Sequence, residues 1–237
     1  MIRIIQGDCL QVIRQFGKGT FGGVVTDPPY SSGGQTIGAK QQATSKKYTS
    51  TKGACPYADF EGDAKDQRSW TRWMAEWMYD ARQACKAGAP IVVFSDWRQL
   101  PSLTDAMQWA GWTWRGMVPW DKANARPQNG RFRAQCEYVA WGSNGPMPIT
   151  RDVPVLPGIY RCPMPTGKER MHQTPKPVEL MRALIRIVES GETLLDPFAG
   201  SGSTLVAAKL EGYSAVGGEI MEENVRIIEQ RLGVRAG

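Results

Sequence analysis

Short apolar runs alternate with amphipathic stretches along most of the chain. Compact apolar runs, many of them β-branched, predict buried strands at 2–5, 23–26, 91–94, 193–195 and 214–218. Between them, apolar residues recur at helical spacing, and the clearest face is formed by Trp70, Trp73, Met74, Trp77, Ala81 and Ala84. Strands that alternate with helices indicate an α/β fold with a doubly wound, mostly parallel sheet.

Two stretches interrupt this alternation. Residues 31–60 are rich in Ser, Thr, Gly, Gln and Lys and show almost no apolar periodicity, so they predict a mobile polar loop. Residues 142–171 are rich in proline and predict irregular structure. The chain of 237 residues shows no repeat of fixed period, so we expect a single domain over residues 1–237.

Composition narrows the class of protein. Hydrophobic residues make up 41% and charged residues 22%, and no run reaches the roughly 18 apolar residues of a membrane helix. The first residues do not predict a signal peptide. The net charge of +6 permits a polyanionic partner. Five cysteines without a CxxC pair, and one histidine, predict reduced thiols and no metal site.

A glycine-rich turn, Asp196-Pro197-Phe198-Ala199-Gly200-Ser201-Gly202-Ser203, follows one predicted strand and opens a helix. Its glycines permit close approach of the backbone to a ligand, and the helix N-terminus favours an anionic group. Glu219 ends the next strand, where an acid can bind ribose hydroxyls. Leu205 replaces the third glycine of the dinucleotide fingerprint, so an adenosine-bearing cofactor other than NAD is indicated. A tight structural corner is the alternative.

A second turn, Asp27-Pro28-Pro29-Tyr30, directly follows the strand at 23–26. Its two prolines restrict the backbone and remove two N–H donors, which leaves a carboxylate, free carbonyls and an aromatic ring in a rigid arrangement. Such a wall accepts hydrogen bonds from an amino group, and the tyrosine ring stacks on that group's plane. A Pro-Pro turn with no function is the alternative.

Together, the two turns resemble those of the S-adenosylmethionine-dependent DNA amino-methyltransferases, which modify adenine N6 or cytosine N4. Their order is similar to that of the beta, circularly permuted, group of this family. The resemblance implies a Rossmann-like sheet of seven strands, with an antiparallel strand in the last pair. It implies catalysis by Asp27, Pro28, Pro29 and Tyr30. It implies cofactor binding by Asp8, Thr174, Lys176, Asp196, Phe198, Ala199, Gly200, Ser201, Gly202 and Glu219.

Four further segments carry the same resemblance. Gly7-Asp8-Cys9 resembles the acidic turn that contacts the cofactor adenine. Trp120-Asp121-Lys122, with Cys136-Glu137-Tyr138, resembles the target-base side of the pocket. His172-Gln173-Thr174-Pro175-Lys176-Pro177 resembles the motif near the methionine end of the cofactor. We assign no catalytic role to His172.

The implied reaction is methyl transfer to an exocyclic amine, and Asp at the first catalytic position favours adenine N6 over cytosine N4. Hydrogen bonds from the amine to Asp27 and to the Pro28 carbonyl would localise its lone pair for attack. The base must leave the duplex, and Tyr30 would stack on it. No Pro-Cys dipeptide is present, which disfavours the covalent route to cytosine C5.

The resemblance implies double-stranded DNA as the partner and allows a homodimer. Basic loops predict phosphate contacts by Lys46, Lys47, Lys122, Arg131 and Arg133. Residues 142–171 would form a short target-recognition segment. We expect a cytoplasmic, nucleoid-associated enzyme of bacterial or phage type. The alternatives are methylation of RNA or of a protein glutamine, and a DNA-binding protein of the same fold without catalysis.

Overall fold

The computed structural model describes residues 1–31, 65–125, 127, 129–165 and 176–233. Its strands are β1 (Ile2–Gln6), β2 (Gly23–Thr26), β3 (Pro90–Ser95), β4 (Thr113–Asp121), β5 (Cys136–Ser143), β6 (Tyr160–Arg161), β7 (Thr193–Asp196) and β8 (Ser214–Glu219). Its helices are α1 (Cys9–Ile13), α2 (Gln67–Ala84), α3 (Leu100–Trp109), α4 (Val178–Ile185), α5 (Ser203–Leu210) and α6 (Glu222–Leu232). The predicted loop at 31–60 lies, after Ser31, outside the described residues, as do Lys46, Lys47 and Thr174.

The strands form one sheet in the order β1-β8-β7-β2-β3-β5-β4-β6. All neighbours are parallel except β5, which runs antiparallel to both β3 and β4, as the resemblance implied. The described sheet has eight strands, whereas seven were expected. The additional strand, β6, has only two residues and pairs with the end of β4. So short a strand carries no periodicity that a sequence pattern could reveal.

The strand order reverses between β7 and β2. The chain continues from β7 to β8 on one side of this point and from β2 to β3 on the other. Because these strands are parallel, their carboxyl ends lie at the same edge of the sheet. The Asp27 turn, the glycine-rich turn, Glu219 and Asp8 therefore come together where α/β sheets bind ligands.

Helices cover both faces of the sheet. Helices α1, α2 and α3 pack on one face, where Trp70 and Trp77 of α2 are fully buried, as predicted. Helices α4, α5 and α6 pack on the other face around Leu180, Leu205 and Ile228. The doubly wound architecture is therefore confirmed. Within the described residues, no helix is long and apolar enough to cross a membrane.

Close packing of α5 on the sheet depends on Gly217 in β8. A Cβ atom at this position would lie 2.5 Å from Leu205 Cδ1 and 3.2 Å from Ala199 Cβ. Gly217→Val should therefore lower the free energy of unfolding by about 1–3 kcal/mol, the usual cost of overpacking a core. Urea denaturation measures this change.

The matched control is Gly158→Ala, because Gly158 is exposed and has no atom within 4 Å of an added Cβ. This substitution should change the free energy of unfolding by less than about 0.5 kcal/mol. Equal stability of the two variants would contradict the packing argument.

Candidate active site

A cavity of about 580 Å³ lies at the carboxyl edge of the sheet. Its walls combine the two turns that the sequence analysis selected with the ends of β1 and β8. The described residues predicted for catalysis or cofactor binding all line this cavity except Gly202. The structure therefore brings together residues that lie far apart in the chain.

The glycine-rich turn needs glycine at two positions for different reasons. Gly200 and Gly202 both have a positive φ, 54° and 83°, which L side chains rarely adopt. A Cβ at Gly202 would lie 2.9 Å from Ile228 Cγ1, so this glycine allows α6 to pack against the turn. A Cβ at Gly200 would have no atom within 4 Å, and Gly200 lines the cavity. Gly200 therefore offers its backbone to a ligand.

Asp196 connects the two turns. Its Oδ1 accepts hydrogen bonds from Thr26 Oγ1 at 2.6 Å and from the Phe198 amide at 3.2 Å. Burial raises the pKa of Asp196 to about 6, although hydrogen bonds from Thr204 and Thr26 oppose this shift. The carboxyl group, predicted to bind cofactor, thus also holds the end of β7 against the end of β2.

Glu219 presents a buried carboxylate to the cofactor end of the cavity. Its Oε2 accepts from the Gly200 amide at 2.8 Å, and its Oε1 accepts from the Met221 amide at 2.9 Å. Burial raises its pKa, while hydrogen bonds from the Met221 amide and the Asn224 side chain act in the opposite direction. Each carboxylate oxygen can accept more than one hydrogen bond, so ribose hydroxyls fit as further donors.

Aromatic rings and a second acid complete this end. Phe198 makes edge-on contacts with Trp73, at 5.3 Å between ring centroids, and with Trp77, at 5.2 Å. Trp73, which helical spacing predicts to face the core, packs against the core and also lines the cavity. Asp8 lines the same wall and accepts a hydrogen bond from the Leu10 amide at 2.9 Å, which caps α1.

Asp27 lies in a cluster of charged groups at the other end of the cavity. Tyr30 Oη donates to Asp27 Oδ1 at 2.7 Å, and Lys176 Nζ donates to Asp27 Oδ2 at 2.5 Å. Glu137 Oε2 accepts from Tyr30 Oη at 3.1 Å and lies 3.3 Å from Lys176 Nζ. Lys122 Nζ donates to Glu137 Oε1 at 3.3 Å. The ammonium of Lys176 therefore contacts the catalytic turn, and that of Lys122 contacts Glu137.

The backbone of the catalytic turn is held from both sides. Trp70 Nε1, on α2, donates to the Pro29 carbonyl at 2.7 Å, and Gln99 Nε2 donates to the Tyr30 carbonyl at 2.9 Å. Sequence reasoning missed both contacts, because helical spacing indicates only that Trp70 is buried. These two hydrogen bonds restrain the turn in addition to the restriction that its prolines impose.

The rim of the cavity carries exposed aromatic and basic side chains. Trp97 follows β3, is exposed, and lies beside Arg98, whose guanidinium pairs with Asp96 at 2.9 Å. Arg131, Phe132 and Arg133 are exposed in the loop between β4 and β5. In the part of the chain that the structure describes, no group of three or more His, Cys, Asp or Glu could hold a metal ion.

Comparison with known proteins supports the family resemblance. The family model described as DNA methylase, of the N6/N4 type, matches residues 22–153 and 149–230. YubD of Escherichia coli (strain K12) is 29% identical over 98% of this chain and 90% of its own length.

Solved structures share the fold. The M1.HpyAVI-SAM complex has a TM-score of 0.70 at 20% identity and covers 99% of this chain and 100% of its own. The cytosine-N4-specific PvuII DNA methyltransferase has a TM-score of 0.73 at 16% identity and covers 97% of this chain and 86% of its own.

Proposed function

Because this chain belongs to the N6/N4 DNA methylase family, we propose that it methylates adenine N6 in DNA with S-adenosylmethionine as the cofactor. The observation that carries the proposal is one cavity that joins the Asp27 turn to the glycine-rich turn and Glu219. The Asp27 turn supplies acceptors for an amino group, and the glycine-rich turn with Glu219 fits an adenosine-bearing cofactor.

The cofactor end suits S-adenosylmethionine by the chemistry of its donors and acceptors. Glu219 would accept hydrogen bonds from the ribose hydroxyls, and Asp8 would accept from the adenine amino group. Phe198 and Trp73 supply apolar walls for the adenine ring. When bound, the cofactor supplies an electrophilic methyl group on a sulfonium.

At the target end, Asp27 activates a weak nucleophile. The lone pair of an exocyclic amine is delocalised into its ring. Hydrogen bonds from the amine to the Asp27 carboxylate and the Pro28 carbonyl would localise this pair in line with the methyl group. The base must leave the duplex to reach Asp27, and the Tyr30 ring would stack on it.

Aspartate at the first catalytic position supports adenine as the target. Cytosine N4 carries the same kind of amine, so the products must be distinguished directly. Purified protein is incubated with labelled S-adenosylmethionine and mixed-sequence DNA, and the DNA is then digested to nucleosides. N6-methyladenine in the digest supports the proposal, whereas N4-methylcytosine alone contradicts the choice of base. Mapping the modified sites gives the recognition sequence.

The DNA surface is proposed to surround the cavity mouth. Exposed Arg131 and Arg133 suit phosphate contacts, and Lys122 supports Glu137. Lys46 and Lys47 remain candidates outside the described residues. We assign target recognition to residues 142–171, where Ile149 and Val155 are fully exposed. The order of the catalytic turn before the glycine-rich turn supports membership of the permuted beta group.

Removal of the catalytic carboxylate tests its assignment. Asp27→Ala should lower methyl transfer by about 100-fold or more, because the amine loses a preorganised acceptor. The affinity for S-adenosylmethionine, measured by calorimetry, should stay within about threefold, which is below 1 kcal/mol. Asp105→Ala, on the exposed side of α3, is the control and should leave both values unchanged. Equal losses of binding and turnover would contradict the assignment.

Glu219 is tested through cofactor affinity alone. Glu219→Ala should weaken S-adenosylmethionine binding by about 1–3 kcal/mol, the usual cost of deleting a charged hydrogen-bond partner. Glu192→Ala is the control. Glu192 directly precedes β7 and pairs with Lys86 on the surface, so its removal should leave cofactor affinity unchanged. Unchanged affinity in folded Glu219→Ala protein would remove Glu219 from the proposed ribose site.

The arginines at the rim are tested by the salt dependence of DNA binding. Arg131→Gln and Arg133→Gln should each reduce the slope of log affinity against log salt by up to about one, for any DNA sequence. Phe132→Ala removes no charge and should leave the slope unchanged. Arg182→Gln, in the last turn of α4, removes a positive charge away from the rim and should also leave the slope unchanged. Wild-type slopes in both arginine variants would place the phosphate contacts elsewhere.

A further inference from the structure

Four charged side chains of alternating sign form a chain through the target end of the cavity. Lys122 contacts Glu137, Glu137 contacts Lys176, and Lys176 contacts Asp27. Lys122 directly follows β4, and Glu137 lies in β5. Lys176 lies two residues before α4, and Asp27 directly follows β2. Two cations and two anions leave the cluster with no net formal charge.

Lys176 is buried in the middle of this chain. Its side chain is 7% exposed, and its ammonium lies 5.3 Å from the centroid of the Tyr30 ring and 5.2 Å from that of Phe94. A buried ammonium is costly unless it is paired. Both carboxylates and both ring faces compensate this charge, so the position of the Lys176 head group is closely defined.

The charge of Asp27 depends on its neighbours. An ionised carboxylate accepts hydrogen bonds at both oxygens, whereas the protonated acid donates one. Burial raises the pKa of Asp27 above its ordinary value; the positive charge of Lys176 opposes this rise, and the negative charge of Glu137 adds to it. Tyr30 Oη also donates to Asp27. A second buried acid, Asp196, lies nearby and accepts a hydrogen bond from Thr26, the residue before Asp27. Within the described residues that contact Asp27, Lys176 is the cationic group.

Glu137 has a different role from Asp27. Despite its burial, the positive charges of Lys176 and Lys122 lower the pKa of Glu137. Glu137 is therefore a permanent anion at neutral pH. It contacts Lys176 at 3.3 Å, and it shares the Tyr30 hydroxyl with Asp27.

We propose that Lys176, held by Glu137, is a positioning residue for methyl transfer that orients the Asp27 carboxylate and keeps it ionised. This inference rests on the proposed role of Asp27 as the acceptor for the target amine. It differs from the expectation that Lys176 binds the cofactor. If Lys176 binds the cofactor, its removal should weaken cofactor affinity. If Lys176 positions Asp27, its removal should shift the pH profile of methyl transfer instead.

The first test is the dependence of kcat on pH. In Lys176→Met the Asp27 carboxylate loses its cationic partner, so the pKa of Asp27 should rise. The acid limb of the profile, where kcat falls as Asp27 is protonated, should move to higher pH by about one to three units. Lys176→Arg keeps the charge and should restore a limb near that of the wild type. Glu137→Gln keeps an oxygen that can accept from Lys176 but removes a neighbouring anion, so the limb should move to lower pH. The affinity for S-adenosylmethionine should stay within about threefold in all three variants.

The second test does not require turnover. Protein labelled with ¹³C at the aspartate carboxyl groups is titrated by NMR without DNA, and Asp27→Asn identifies the Asp27 signal. The midpoint should rise in Lys176→Met and fall in Glu137→Gln. If wild-type protein methylates no DNA, the proposed function fails, whereas this titration still decides whether Lys176 controls Asp27.

Three results would overturn the inference. One is an unchanged acid limb and an unchanged Asp27 midpoint in folded Lys176→Met. Another is a loss of cofactor affinity of tenfold or more in that variant without a shift of the limb, which would make Lys176 a cofactor ligand. If Lys176→Met does not fold, Lys176→Gln replaces it: an upward shift of the Asp27 midpoint supports the inference, and no shift overturns it.

Discussion

The parallel pairing of β2 with β7 is the constraint on which the site depends. Gly23 and Val24 lie opposite Leu194 and Leu195, although the two strands are about 170 residues apart. This register places the catalytic turn beside the glycine-rich turn, and a hydrogen bond joins Thr26, directly before the first turn, to Asp196, the first residue of the second. An acceptor for an amine and a site for an adenosine-bearing cofactor therefore share one cavity.

Electrostatics divides the cavity into two ends. At the cofactor end, Asp196 and Glu219 are carboxyl groups held by backbone amides and hydroxyls, and burial raises the pKa of both. At the target end, Asp27 and Glu137 are balanced by lysines. Hydrogen bonds from uncharged donors favour the anion of a buried acid, and a buried lysine adds the attraction of a full positive charge. A full positive charge therefore opposes burial where an anionic acceptor is needed for chemistry, although the pKa of Asp27 still lies above its ordinary value.

Hydrophobic packing gives this polar site its rigidity. Helix α2 buries Trp70 and Trp77 against the sheet, and Trp70 also donates its indole N–H to the Pro29 carbonyl. One side chain thus contributes to the core and restrains the catalytic turn. The proline residues limit the local backbone, and the tryptophan anchors it to a helix formed far from it in sequence.

Local patterns in the sequence determined the strand and helix positions, the two turns, and the acids at strand ends. These features depend on residues close together in the chain, such as the periodicity of α2 or the prolines after Thr26.

The tertiary structure decided which groups meet. Strand β6 escaped prediction because two residues carry no period. The contact of Trp73 with the cavity escaped prediction because helical spacing does not reveal what else a core-facing side chain contacts. Lys176 and Glu137 are 39 positions apart, and neither local sequence shows that both contact Asp27. Long-range pairing of strands brings these charges together, so only the folded chain reveals the network.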